Sequence, residues 1–527
     1  MVRSPATANP GQRRHGGRAC AQGWHGSRRG RPDPDRDAPP GRRDRRARIC
    51  HLQRSGPAVH APRRSEYGNQ PMNTPSLNRI LHLADPGTYE PWRPVNGAGY
   101  HLGTISIGGR PVYVLATDTD NPVKASPYEG IKRQAAFLQH IADDPAPLVQ
   151  LLDIPAHMKT LKGKTPIPRD AMRLLAGDQG IGGTYASLAR LEGVVPRVTA
   201  IFDTIGAALS FPSALGDALI MTEDAALCIG RPDAVTHMTG QQTDFQRLGG
   251  ATIHAATTGI AHATAKTEAG ALTWMRQWLA YWPDRAGQPF PEAKPVQPAN
   301  DLAALGPGLT ECGFNAPLAM HTVIKGVADG GSWLEMGAEH AGECITGLCR
   351  VQGRPLAVVA SDSTVRGGVL FPETCRKMTR FIRLCGQFAM PVAFLADTPG
   401  FMIGEQVEHH GIVQAAADLY AAIANSPSPK VCAVVRKAYS AGLYAMAGAG
   451  FGAKFWALPG ASISVFGPEA IARFSDDRDM PEPARNAARE MLAGALDPQR
   501  FLDEELIDAV VSWEDLRPCL AGFAAGK

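Results

Sequence analysis

The clearest hydrophobic pattern in the chain spans residues 375–385, where Met378, Phe381, Ile382 and Cys385 recur at helical spacing while Arg376, Lys377, Arg380 and Arg383 fall mostly on other faces. Apolar positions three and four apart form one stripe, so the segment predicts an amphipathic helix. Two apolar runs of strand length flank it. Residues 356–359 follow the turn-type sequence Gly353-Arg354-Pro355, and residues 391–399 end in Asp397-Thr398-Pro399. Strand, helix and strand in that order predict a crossover unit of an α/β fold.

The pattern occurs twice. Residues 85–156 lie over residues 329–400 at a constant offset of 244. Asp85, Gly87, Thr88 and Glu90 recur loosely as Asp329, Gly331, Ser332 and the nearby Glu335. Gly109-Arg110-Pro111 recurs as Gly353-Arg354-Pro355, each predicting a hairpin turn that enters a buried strand, and Asp153-Ile154-Pro155 answers Asp397-Thr398-Pro399. After a length change of eleven residues, 196–208 matches 429–441, and Pro232-Asp233-Ala234 then mirrors Pro468-Glu469-Ala470. Such ordered self-similarity is the mark of an internal duplication. Between the copies, Pro289, Pro291, Pro295, Pro298 and Pro307 are expected to keep residues 284–308 free of helix or strand. The expected organisation is a disordered Arg-rich tail over 1–71, a first domain over 72–300 and a second over 301–527.

Charge changes this picture only at the start of the chain. Residues 1–71 hold sixteen Arg, no Lys and five acidic residues, so the formal net charge of +4 conceals an acidic body. The tail has almost no apolar periodicity and reads as disordered and functionally silent, with Met72 the expected start of the patterned protein. It lacks the apolar centre of a secretory signal, and the clustered Asp33, Asp35 and Asp37 argue against a transit peptide. The ten cysteines include no C-x-x-C pair, and Cys344 and Cys349 sit in an apolar strand-like stretch, so buried free thiols in a reduced, cytoplasmic protein are expected. The uncharged run at 438–453 is too short to span a bilayer. Neither a membrane nor a nucleic-acid partner is expected.

No Ser-His-Asp arrangement, phosphate loop, zinc helix or dinucleotide fingerprint stands out. The chemistry is expected from the main chain instead. Gly206-Ala207-Ala208 and Ser440-Ala441-Gly442 both lie where an apolar strand hands over to a helix. Unpaired N–H groups at such turns stabilise an oxygen that becomes negative, as in an enolised thioester. Small residues at the same place also serve close packing, and the duplication tilts the reading toward function. His409 and His410, beside Glu405 and Glu408, read as exposed side chains rather than as a metal or acid–base site, and no metal is expected.

With these residues in view, the chain over about 80–520 resembles the carboxyltransferase (β) subunits of biotin-dependent acyl-CoA carboxylases, in the crotonase superfamily. In the second half the resemblance rests on residues 329–335, 353–355 and 394–401, Arg436-Lys437-Ala438-Tyr439 with the small triplet, and Gly467-Pro468-Glu469. In the first half it rests on Gly193-Val194-Val195-Pro196, residues 212–215, Thr239-Gly240, Gly249-Gly250-Ala251 and residues 258–262. It implies an α/β fold made by tandem duplication of a crotonase-like ββα superhelix domain. The first half would hold the acyl-CoA, and the second would receive carboxybiotin from a carrier domain on a partner protein. The implied oxyanion donors are the amides around Gly400, Ala441 and Gly442 on the biotin side, and Ala208 with Ala207 on the thioester side. Ala156, Leu443, Tyr444 and Phe401 are the implied substrate contacts.

The implied partners are a biotin carboxylase, a biotin carboxyl carrier subunit and further copies of the chain, as a dimer core commonly within a hexamer. Three departures make the thioester pocket atypical. Ile154-Pro155-Ala156-His157 stands where the family commonly has Gly-Gly-Ala-Arg, Arg231 occupies a usual Gly position, and Tyr444 replaces an Asp frequent in members acting on short straight acyl chains. Lys159, Lys162 and Lys164 beyond that loop read as a solvated basic stretch. Two competing readings share the pattern: a biotin-dependent acyl-CoA decarboxylase subunit, and a non-catalytic paralogue acting in assembly.

Overall fold

Two sheets of the same design carry the chain. The computed structural model describes residues 75–94, 99–119, 121, 126–154, 170–206, 209–477 and 479–526. The first sheet runs, edge to edge, through Glu90–Pro91, Tyr100–Ile107, Arg110–Thr117, Leu148–Leu152, Arg197–Ile201, Ala218–Thr222 and Ala263–Ala265. The second runs through Leu334–Glu335, Cys344–Val351, Arg354–Ser361, Val392–Thr398, Lys430–Tyr439, Lys454–Ala457 and Ala509–Val510, with Ser462–Ser464 also pairing Lys430–Tyr439. In each sheet the first two pairings are antiparallel and the rest parallel.

The register repeats with the sequence. Glu90 pairs with Thr104 and Leu334 with Leu348, and Tyr113 pairs with Leu148 as Ala357 does with Val392. The eleven-residue difference falls in the next crossover, where Leu148 pairs with Arg197 and Val392 with Lys430.

Each hairpin turns through two left-handed residues, Gly108 and Gly109 (φ 61° and 77°) or Gln352 and Gly353 (φ 51° and 83°), as the right-handed twist of the strands requires. Both turns are pinned by a carboxylate. Asp85 accepts from the Gly108 and Gly109 amides at 3.1 and 2.8 Å, and Asp329 from those of Gln352 and Gly353 at 2.9 and 2.7 Å. Arg276 and Arg517 close these two sites with ion pairs of 2.8 Å each. The recurring Asp, legible in the sequence only as a turn opening, is therefore a hairpin staple.

The crossover helices Pro127–Asp143 and Pro372–Phe388 have equal length, and Met378, Phe381, Ile382 and Cys385 are all buried, as their spacing predicted. Cys344 and Cys349 are buried in the strand Cys344–Val351. The expectation of no helix within 284–308 fails at its end. Asp301 caps a helix over Leu302–Glu311 by accepting from the Ala303 and Ala304 amides, and Pro307 sits inside it. Gly306 is needed there, because a Cβ would lie 2.1 Å from the Trp513 ring. That ring, which also donates to Thr310 Oγ1 at 3.1 Å, holds the helix against the C-terminal end of the same half despite the hydrogen bond that Pro307 removes.

The two sheets share one core. The last helix of the first half, Glu268–Leu279, carries the fully buried Trp278, whose ring lies 5.4 Å from that of Trp282; Trp282 in turn stands 5.3 Å from Phe388 of the second half. Arg350 of the second sheet donates to Ala280 O at 2.7 Å and to Pro291 O at 2.6 Å. Among the described residues, no helix is long and apolar enough to cross a membrane.

Candidate active site

The site begins at the ends of two neighbouring parallel strands of the second sheet. Val392–Thr398 ends in the Asp-x-Pro sequence and passes into Gly400, whose φ of 116° excludes a side chain. The loop before the crossover helix holds this turn. Leu370 N donates to Gly400 O at 2.9 Å, and Thr398 Oγ1 donates to Gly368 O at 2.8 Å while accepting from Gly400 N at 3.1 Å. The Gly400 amide is thus already engaged. At this turn it is the Phe401 N–H that has no acceptor among the described residues.

The neighbouring strand Lys430–Tyr439 runs into Ser440, a non-glycine residue at φ 52° and ψ −140°, and then into the short helix Ala441–Ala445. Such a conformation costs about 1–3 kcal/mol and persists only where the surroundings enforce it. Here Ser440 N donates to Ser464 O at 2.9 Å, and Tyr420 OH donates to Ala441 O at 3.0 Å. The helix therefore starts abruptly, and the Ala441 and Gly442 amides have no acceptor among the described residues. The two turns touch, since a Cβ on Gly442 would lie 2.7 Å from Gly400 Cα.

A cavity of about 710 Å³ opens beside the second turn, within the range of small-molecule sites. Ser440, Ala441, Leu443 and Tyr444 form one wall, and the helix Glu482–Ala495 with residues 500–504 forms the other. Gly400, Phe401 and Gly442 lie behind that wall rather than on it. Phe401 instead meets Tyr420 edge-on at 6.2 Å, and Phe451 links Tyr420 and Tyr444 at 5.8 and 6.4 Å. Burial pushes the Tyr420 phenol up to about 12, so it remains a donor to the turn at ordinary pH.

Both Asp-x-Pro carboxylates are buried and paired, which the sequence reading missed. Asp397 receives Arg436 at 2.7 Å, and Asp153 receives Arg79 at 2.5 Å. Arg436 also donates to Ala316 O and Gly313 O at 2.8 and 3.0 Å, tying the site strands to the segment after the linker. An Asp inside an apolar strand demands a cation. The identity of that cation was not legible, because its partner lies 39 or 74 residues away.

In the first half, Ile205–Gly206 pairs with Leu227–Cys228, and Ser210 donates to Cys228 O at 2.6 Å. Ala207, Ala208, Ala156, His157, Lys159, Lys162 and Lys164 lie outside the described residues, as do the tail and Met72. Arg231 precedes the helix Pro232–Thr239 and pairs with Asp233 at 3.1 Å on the surface. The motif at 258–262 fastens the halves together. Arg380 donates to Gly259 O and Ile260 O, both at 3.1 Å, and His340 Nδ1 donates to Ala256 O at 2.9 Å. Burial, reinforced by Arg380, holds His262 well below its usual pKa, so its neutral Nδ1 accepts from Leu219 N at 3.0 Å. His409 ends the short helix Glu405–His409, and His410 is exposed; no cluster of metal-ligating side chains occurs among the described residues.

Comparison with known proteins agrees with this architecture. The carboxyl transferase domain family model matches residues 172–514. The uncharacterized carboxylase YngE of Bacillus subtilis is 33% identical over 440 residues, 81% of this chain and 83% of that protein. The putative propionyl-CoA carboxylase beta chain of the same organism is 31% identical over 388 residues, 73% of each. A crystal structure of transcarboxylase 12S, described as a hexamer and solved with methylmalonyl-coenzyme A and methylmalonic acid bound, matches with a TM-score of 0.76. It covers 86% of this chain and 89% of that one, at 24% identity, a likeness of fold. With well over half of its length matched by the family model and its crotonase-like unit present twice, the chain belongs to the carboxyl transferase family, that of the carboxyltransferase subunits of acyl-CoA carboxylases.

Proposed function

We propose that the chain moves a carboxyl group from carboxybiotin, presented by a biotin carboxyl carrier subunit charged by a biotin carboxylase, to the α or vinylogous carbon of an acyl-CoA. The observation that carries this reading is the strained turn at Ser440, which leaves the Ala441 and Gly442 amides unpaired beside a cavity of about 710 Å³. Carboxybiotin would supply the carboxyl group, and a cavity of this size fits its fused rings. The chain's part is electrostatic: main-chain donors fixed before substrate arrives stabilise developing oxygen charge without reorganising. Ala441, on the cavity wall, acts on the biotin side, and Gly442 and Phe401 N–H, the latter in place of the engaged Gly400 amide, are the further donors proposed behind it. Ala207 and Ala208 act on the thioester, and Ala156 serves as a substrate contact. Leu443 and Tyr444 shape the pocket, and the apolar wall limits the water that would otherwise take the carboxyl group.

A homo-oligomer in which one first half faces another second half is part of the proposal. Exposed Met402, Ile403, Val465 and Phe466 around the turn support it, because they form an apolar rim that a second copy would cover. The test mixes purified protein with free biotin or biocytin and a panel of carboxylated acyl-CoAs and follows biotin-dependent decarboxylation. Turnover of one acyl class identifies the substrate. Absence of turnover with CoA binding retained would overturn the catalytic reading in favour of an assembly role.

A further inference from the structure

A second cavity, of about 380 Å³, lies between the halves at the opposite strand ends from the turns. Gly216 and Asp217, just before the strand Ala218–Thr222, form one wall; the helix Pro372–Phe388 forms the other. Arg376, Arg380 and Arg383 of that helix line the cavity on successive turns, and Arg197 joins them from the first half. Seven residues of helix place Arg376 and Arg383 roughly 10 Å apart along the axis, enough to reach two anionic centres.

Unlike Arg197, the three arginines of the helix form no ion pair among the described residues. Arg380 forms two hydrogen bonds, both from Nη1 and both to the carbonyls of Gly259 and Ile260. Arg376 donates only to His410 O at 3.0 Å, and exposed Arg383 has no partner among the described residues. Of the three carboxylates that line the cavity, Asp217 is held by a cation, while Glu192 and Asp418 accept from neutral amides. Asp217 receives Arg197 at 2.7 Å and the Arg197 amide at 2.8 Å, Glu192 accepts from Gln387 at 3.1 Å, and Asp418 accepts from Gln414 at 3.0 Å. Burial lowers the Arg380 guanidinium to about 10, the mark of a desolvated cation with too little opposing charge. Guanidinium forks match phosphoryl oxygens, and one phosphoryl group accepts from more than one Arg.

We infer that this cavity is a diphosphate-binding site, separate from the carboxyl-transfer site, in which Arg376, Arg380 and Arg383 hold the two phosphoryl groups. Arg380 also grips the loop at 258–262 and so ties the site to the first half. The diphosphate comes either free or as part of a nucleotide, and inorganic pyrophosphate and ADP are the two probes that separate these sources.

Isothermal titration calorimetry of the full chain at fixed ionic strength is expected to show one saturable site per chain for at least one probe. Arg383→Ala, an exposed change that leaves the fold alone, weakens it about tenfold or more, equivalent to about 1.4 kcal/mol. Arg376→Ala does the same, and Arg247→Ala, on a different exposed helix, changes nothing. Decarboxylation kinetics of Arg383→Ala keep the acyl-CoA KM of the wild type. No saturable binding, equal binding by wild type and Arg383→Ala, or tighter binding of citrate than of either probe overturns the inference. A raised acyl-CoA KM would also overturn it, by making the cavity part of the substrate site. Binding is read without turnover, so the proposed activity can fail while this site stands.

Discussion

Replacing Gly442 with Ala tests the main-chain account most directly. Gly442 lies in a helix with ordinary dihedrals, so the added methyl group acts through space alone. Its Cβ would stand 2.7 Å from Gly400 Cα, 3.1 Å from Gly400 N and 3.2 Å from Thr398 Cγ2. Carbon atoms pack at about 3.5–4.0 Å, so one of the two turns must retreat by roughly 1 Å. The helix can yield toward the cavity, and its amides would move with it. Loss of one aligned donor costs about 100- to 1000-fold in kcat, or about 2.7–4 kcal/mol. The overpacking itself costs about 1–3 kcal/mol of stability, less than a typical domain holds, so the protein still folds. Gly522→Ala is the control: a Cβ there meets nothing within 4 Å, and the change should raise the melting temperature slightly without touching the rate. Biocytin-dependent decarboxylation of a turned-over acyl-CoA, beside thermal denaturation, measures both quantities. A folded Gly442→Ala protein with kcat within about threefold of wild type would refute the assignment, because an effect of that size is far below the loss of one oxyanion donor.

Breaking the buried pair with Asp397→Leu strands Arg436 and should cost about 3–5 kcal/mol in thermal or urea denaturation, most of it recovered by adding Arg436→Met. Asp329→Ala removes the acceptor of two hairpin amides and of Arg517 at a buried site, so its melting temperature should fall further than that of Asp85→Ala, whose more exposed site water can repair. His321 hydrogen-bonds Glu335 at 2.7 Å and stands 3.6 Å from Asp362, and these carboxylates push its pKa up to about 9. The stability it contributes is fully present below the unfolded pKa of about 6.5 and is lost as pH rises through about 9. Partial exposure keeps the effect small, and melting curves across that window should lose the slope in His321→Gln.

Local and periodic signals carried the sequence reading a long way. The stripe of Met378, Phe381, Ile382 and Cys385, the two hairpins and the two Asp-x-Pro strand ends depend on neighbours within a few residues, and a duplicated pattern reports them twice. Pro307 misled because tertiary packing, with Gly306 seated against Trp513, overrides the local cost of a proline inside the helix. The arginines of the Asp397 and Asp153 pairs were hidden by distance along the chain. At the site, the small triplet after Tyr439 pointed to the second turn. Only coordinates could show that Thr398 Oγ1 accepts from the Gly400 amide and leaves Phe401 as that turn's free donor. The loop at 258–262, which carried part of the family resemblance, is where Arg380 of the second half grips the first.

The tryptophans on that shared core set a limit on how the protein can be divided. Trp278 and Trp282 belong to the first copy by sequence, yet Phe388 of the second copy completes their packing. A gene cut in the proline-rich connector would yield two polypeptides that each expose a greasy face. Neither would then melt as a stable, soluble unit, because each half relies on the other to cover that face.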